Sequence, residues 1–141
     1  MGFDFTEFAE SYAASLTDTL AKLPFSSMKK LWEIVERARE QGSTIHFIGN
    51  GGSAGTPSHS AGDWSKELSL RTLSHVDNSP ALTAWANDTD FENVFVGQLS
   101  TFASPGDVVI GFSGSGNSAN VINGIQYSNC LLYTSPSPRD Q

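Results

Sequence analysis

One local arrangement occurs twice in this chain: an apolar strand runs into a glycine- and serine-rich turn, and a helix follows. The first copy is Thr44-Ile45-His46-Phe47-Ile48-Gly49-Asn50-Gly51-Gly52-Ser53. The second is Asp107-Val108-Val109-Ile110-Gly111-Phe112-Ser113-Gly114-Ser115-Gly116-Asn117-Ser118. A strand delivers the chain, glycines let the backbone turn tightly and come close, and the start of a helix offers N–H groups that its own turns cannot satisfy. These are the parts needed to hold an anion. Hydroxyls and backbone N–H groups can surround the oxygens of a phosphate monoester without any cationic side chain. A single Gly/Ser turn is more often an ordinary connection, with Asn117 or Ser118 serving only as a helix cap. Two such turns in one chain favour a ligand site. The candidate anion-binding residues are therefore Asn50, Gly51, Gly52 and Ser53 in the first turn, and Ser113, Gly114, Ser115, Asn117 and Ser118 in the second.

The two turns also constrain the fold. Continuous apolar strands such as 108–112 are expected where both faces of a sheet are covered. Strands alternating with helices imply an α/β fold with a parallel sheet between helical layers, and ligands in such folds sit at the carboxyl ends of the strands. Helical periodicity predicts helices over 5–23, ended by Pro24, and over 27–41, with Ser26 or Ser27 as N-cap and Gly42 as stop. A third helix is expected over 54–70, where Pro57 is tolerable only in the first turn. A short strand is expected at 73–76, helices at 80–87 and 91–102, and a last helix from about Asn117. The first two helices are amphipathic and could cover the sheet or pack on another subunit. Trp32, Trp64 and Trp85 are expected in the core or an interface, and Lys66, Glu67 and Arg71 on a solvated helix face.

The chain has 141 residues, 38% apolar and 16% charged, enough for one globular core. Its net charge of −7 argues against non-specific nucleic-acid binding, which needs a basic surface. No apolar run approaches bilayer length, and the acidic N-terminal residues do not resemble a signal peptide. Cys130 is the only cysteine, so no internal disulfide can form. A cytoplasmic location, with neither nucleic-acid nor membrane partner, is the expectation.

Taken together, Gly49-Asn50-Gly51-Gly52-Ser53, Ala86-Asn87-Asp88, and Pro105-Gly106-Asp107 leading into Ser113-Gly114-Ser115-Gly116-Asn117-Ser118 resemble the sugar isomerase (SIS) domain, its phosphoheptose isomerase branch most of all. The resemblance covers about 25–126. It implies a flavodoxin-like three-layer α/β/α sandwich that binds a phosphosugar, a homotetramer, and interconversion of sedoheptulose 7-phosphate with the heptose 7-phosphate. A second SIS role is also open: a non-catalytic phosphosugar sensor or assembly protein. The branch usually has threonine where Gly114 stands, which removes one hydroxyl contact here.

His59 and Asp63 are four residues apart on the third helix and so share a face. Such a pair could bind a metal, form an acid/base couple, or be a surface pair with neither role. The resemblance places zinc here, with His59 as one ligand and the shorter Asp63 where the branch has glutamate. The branch's remaining ligands, a glutamine and a histidine, have no match in this chain. Asn87 and Asp88 match residues near the ligand and could hydrogen-bond sugar hydroxyls; a helix C-cap is the alternative. His46 lies within the first strand and is expected to be a packed or edge histidine and not a ligand, and no partner is evident for His75.

From Cys130 the composition changes abruptly. Cys130-Leu131-Leu132-Tyr133-Thr134-Ser135-Pro136-Ser137-Pro138-Arg139-Asp140 resembles one reading frame of a transposase adaptor used in sequencing libraries. The expected organisation is a partial SIS domain over 1–129, incomplete at its C-terminus, and a non-native tail over 130–141. A fragment of this kind is expected to be poorly soluble and inactive as an isomerase.

Overall fold

The computed structural model describes residues 2–131; the adaptor-like stretch therefore falls almost wholly outside the described residues. The elements run α1 (Phe5–Ala21), α2 (Phe25–Gln41), β1 (Thr44–Gly49), α3 (Gly52–Leu68), β2 (Arg71–Ser74), α4 (Ser79–Asp88), a 3-10 turn (Phe91–Asn93), α5 (Val94–Phe102), β3 (Val108–Phe112) and α6 (Ala119–Leu131). The chain divides into two compact units, Met1–Glu33 and Ile34–Gln141.

In the first unit, α1 is N-capped by Asp4, whose carboxylate accepts from the N–H groups of Thr6 and Glu7. The helical stripe of Phe8, Tyr12, Leu16 and Leu20 exists as expected, but it remains exposed in the single chain. α2 begins at Phe25, directly after Pro24, so Ser26 and Ser27 lie inside its first turn and neither is the N-cap. Proline's fixed φ admits a helix immediately after it, which is why the start comes early.

The second unit holds a parallel sheet of order β2-β1-β3. Strand alternation sorts its side chains into two cores. Ile45 and Phe47 of β1, with Val108, Ile110 and Phe112 of β3, pack against Val35 and Ala38 of α2 and Ala61 and Trp64 of α3. Ile48 and Val109 point the other way and pack against Val94 and Phe95 of α5, Trp85 of α4, and Val121 and Ile125 of α6. This is the expected three-layer α/β/α arrangement. Ile45, Phe47 and Ile48 are wholly buried, each stabilising the fold by about 2 kcal/mol through apolar burial. Trp64 meets Phe47 edge-on. Trp85 lies across Gly97 so closely that no side chain fits there. Trp32 is exposed.

Three boundaries differ from expectation. β2 spans Arg71–Ser74, two residues earlier than predicted, because α3 ends at Leu68 and a left-handed Ser69 turns the chain. Arg71 is thus a strand residue, its guanidinium donating to the Gly42 carbonyl, and only Lys66 and Glu67 sit on the exposed helix face. α6 begins at Ala119, two residues late, because 113–118 is held by its own hydroxyl contacts. Pro57 is the sixth residue of α3, not in its first turn. Its missing N–H leaves the Ser53 carbonyl without the usual helical donor, and that carbonyl lies against the Cα of Gly49.

Candidate functional site

Both Gly/Ser turns emerge at the carboxyl ends of adjacent strands, β1 and β3. Two glycines shape the first turn for different reasons. Gly49 is pressed between the Ser53 and Phe112 carbonyls, and any Cβ would collide with the first of them. Gly51 takes φ +53°, ψ −123°, a backbone conformation closed to other residues. Gly51 precedes α3 and supplies no side-chain cap. The N–H groups of Gly52 and Ser53 therefore open the helix without a side chain to satisfy them, the arrangement that receives an anion.

The second turn is held by its hydroxyls. Ser113 Oγ lies 3.1 Å from Ser118 Oγ and accepts from the Gly116 N–H at 3.1 Å, while Ser115 Oγ accepts from the Asn117 N–H at 3.2 Å. Gly114, Ser115, Gly116 and Asn117 are exposed; Ser113 and Ser118 are half-buried. The two turns are joined by a contact that sequence reasoning missed. Asn50 Nδ2 donates to Asn120 Oδ1 at 2.7 Å, and Asn120 Nδ2 donates back to Asn50 Oδ1 at 2.9 Å. Asn120 is 2% exposed. Its signal in the sequence was a polar residue beside Val121 on the face of α6 that packs on β1. Asn50, expected to face a ligand, spends its amide on this pair.

The other candidates stand apart from the turns' own hydrogen bonds. Asn87 and Asp88 are the last residues of α4, exposed, with Asn87 Nδ2 donating to Asp88 Oδ1 at 2.8 Å; Thr89, not either of them, is the C-cap. His59 Nε2 lies 3.1 Å from Asp63 Oδ2 on the exposed face of α3. An imidazole and a carboxylate suit zinc by chemistry, but zinc takes four ligands. Among the described residues no third histidine, cysteine or carboxylate joins them, so this donor set does not by itself fit the ion.

The structure also pairs the two histidines that had no assigned role. His46 Nδ1 is 2.9 Å from His75 Nε2, and His46 Nε2 is 3.2 Å from Asp107 Oδ2. Asp107 also accepts from the N–H groups of Thr44 at 2.7 Å and Ser104 at 2.8 Å. All three residues are buried. Burial pushes both histidines below their ordinary pKa, His75 to about 4, with the neighbouring His46 adding to the shift. Burial alone would raise the Asp107 carboxyl, but the two N–H donors and His46 outweigh it and hold it below its usual value. With Asp107 ionised, His46 donates through Nε2, and its bare Nδ1 accepts from His75 Nε2–H. The chain of protons runs one way and leaves both rings neutral.

A family model described as the SIS domain matches residues 7–131. The phosphoheptose isomerase of Crocosphaera subtropica is 39% identical over 103 residues, covering 70% of this chain and 53% of its own. A probable phosphoheptose isomerase of Thermoplasma volcanium is 37% identical, covering 74% and 56%. The chain thus spans little more than half the length of these curated relatives. Among solved structures, the phosphoheptose isomerase GmhA of Neisseria gonorrhoeae superposes with TM-score 0.80 at 32% identity, covering 89% of this chain and 67% of that one. A phosphoheptose isomerase of Francisella tularensis, at 21% identity and TM-score 0.77, shares the fold.

Proposed function

The chain belongs to the SIS domain family, and from that premise we propose that its two Gly/Ser turns form part of the phosphosugar site of a phosphoheptose-type aldose–ketose isomerase. The observation that carries this reading is the placement of both turns on adjacent strand ends, tied together by the Asn50–Asn120 pair. The unsatisfied N–H groups at the start of α3 and the hydroxyls of Ser113, Ser115 and Ser118 provide donors for phosphate oxygens. They hold the anion locally although the chain carries a net charge of −7. Asn87 and Asp88 would bond sugar hydroxyls.

Isomerisation moves one proton from a carbon to its neighbour and another between the two oxygens, through an enediol. A carboxylate or imidazole performs the carbon transfer. His59 and Asp63 are the residues we assign to this task, as an exposed pair able to trade each other for substrate. Zinc on these two side chains is the alternative to that role, since a side chain that coordinates the ion is not free to carry the carbon proton, and its other two ligands have no match among the described residues. We further assign the parent protein a cytoplasmic location and a homotetrameric assembly. The exposed apolar stripe of α1 is the observation that supports assembly; among the described residues, no helix is long and apolar enough to cross a membrane.

The decisive assay is turnover of sedoheptulose 7-phosphate by the full-length parent. His59→Ala and Asp63→Ala should each lower kcat by about 10²–10⁴-fold, the usual worth of a positioned acid or base. Turnover surviving both changes would remove the pair from the mechanism. Saturable binding without any turnover in the parent would favour the sensor role.

A further inference from the structure

We infer that Asn120 is a positioning residue that couples the two phosphate-binding turns, acting through Asn50; the assignment of a ligand to those turns rests on the reading above. Asn50 directly precedes Gly51, the N-cap residue of α3, so the place of its amide sets where the Gly52 and Ser53 N–H groups point. Asn120 follows Ser118 by two residues and stands in the first turn of α6, so it is fixed relative to the serine hydroxyls. The pair bridges 70 positions of sequence. The first turn needs this support. It contains glycines, whose conformational freedom is costly to freeze, and its helix has no side-chain cap of its own.

The chemistry of the pair is demanding. Each amide both donates and accepts, and Asn120 Oδ1 also accepts from the Val121 N–H at 2.9 Å. Aspartate would lack the donor, and an apolar side chain would lack both groups. Asn120 therefore has two separable tasks: holding the start of α6 and holding Asn50. Serine at this position keeps a short acceptor for local helix N–H groups but cannot reach Asn50. Asn50→Ala removes the second task from the other side and keeps the Val121 N–H bond at the start of α6.

Two measurements on the full 141-residue chain test the coupling: calorimetric titration with sedoheptulose 7-phosphate, and backbone amide hydrogen exchange. Asn50→Ala and Asn120→Ser should each weaken sugar-phosphate binding about tenfold, as expected when two neutral hydrogen bonds are lost. The double variant should bind no worse than the weaker single variant. Exchange should accelerate at 51–53 in Asn120→Ser, and at 113–118 in Asn50→Ala, while the β1 and β3 amides keep their protection. A purely structural role for Asn120 would not carry the effect across to the other turn. Additive losses, or acceleration confined to the substituted turn, would overturn the inference. If the unaltered chain does not bind the sugar phosphate, the two turns do not suffice to hold the ligand, turnover by the full-length parent decides the phosphosugar reading, and exchange alone decides the coupling. If Asn120→Ser does not fold, exchange at 113–118 in Asn50→Ala decides it.

Discussion

Two groupings of histidine with carboxylate stand among the described residues, and solvent is the main difference between them. His59 and Asp63 meet at 3.1 Å, one helical turn apart on α3, with side chains 81% and 57% exposed. His75, His46 and Asp107 meet at 2.9 and 3.2 Å from three separate parts of the second unit, and water is nearly excluded. In the exposed pair either partner can let go, because water takes its place, so the pair is available to a substrate proton or a metal. In the buried set every released group is left without a partner, and the cost of leaving it so exceeds the worth of the bond itself. The same side chains are thus open to solvent and to a ligand on one helix face and committed to the fold inside the sheet.

The harshest way to break this contrast is to remove Asp107. Asp107→Ala orphans the Thr44 and Ser104 N–H groups and His46 Nε2 together. A loss of about 3–5 kcal/mol is expected, as for one member of a buried charged pair. Asp107→Asn keeps an acceptor and should lose less. Urea denaturation measures both; a loss under about 1 kcal/mol for the alanine would show that the buried set carries little.

Next in size is the response to pH. His75 has an ordinary pKa of 6.5 in the unfolded chain and about 4 in the folded one. Between those values the unfolded chain binds more protons, so stability rises with pH. The contribution is fully present above about pH 6.5 and is lost as pH falls toward 4. It amounts to about 3 kcal/mol at most. His46, also lowered, acts in the same direction. Asp107 acts at lower pH: its depressed pKa contributes stability above its ordinary 3.8 that is lost as pH falls through the folded value. His75→Gln should flatten the stability profile between pH 4 and 6.5. An unaltered slope in His75→Gln would assign the acid sensitivity elsewhere.

The contrast also marks what could be read from the residues in advance. The strand-turn-helix repeats were legible because glycine and serine act through the backbone, a local property, and so both turns and the order of layers emerge where expected. The His46 position was legible as packed, since it interrupts an apolar strand. Its partners were not: His75 and Asp107 reach it only once β2 and β3 flank β1, and register is not a local property. Asn120 escaped for the same reason, its value lying in Asn50, 70 positions away. Pro57 ran against a local rule. The rule holds for isolated helices, whereas here the proline is buried and the carbonyl it deprives faces Gly49.

The smallest expected effect is the most discriminating. His59→Ala and Asp63→Ala should each change folding stability by less than about 0.5 kcal/mol, because an exposed pair gains little from attraction that water already screens. Each would also remove one of the two side chains assigned to proton transfer. Stability untouched with turnover lost in the full-length parent is the signature of a pair kept for chemistry. Losses of several kcal/mol in either variant, measured by urea denaturation, would mean that α3 relies on the pair as the sheet relies on Asp107. The exposed and buried sets would then differ in position but not in kind.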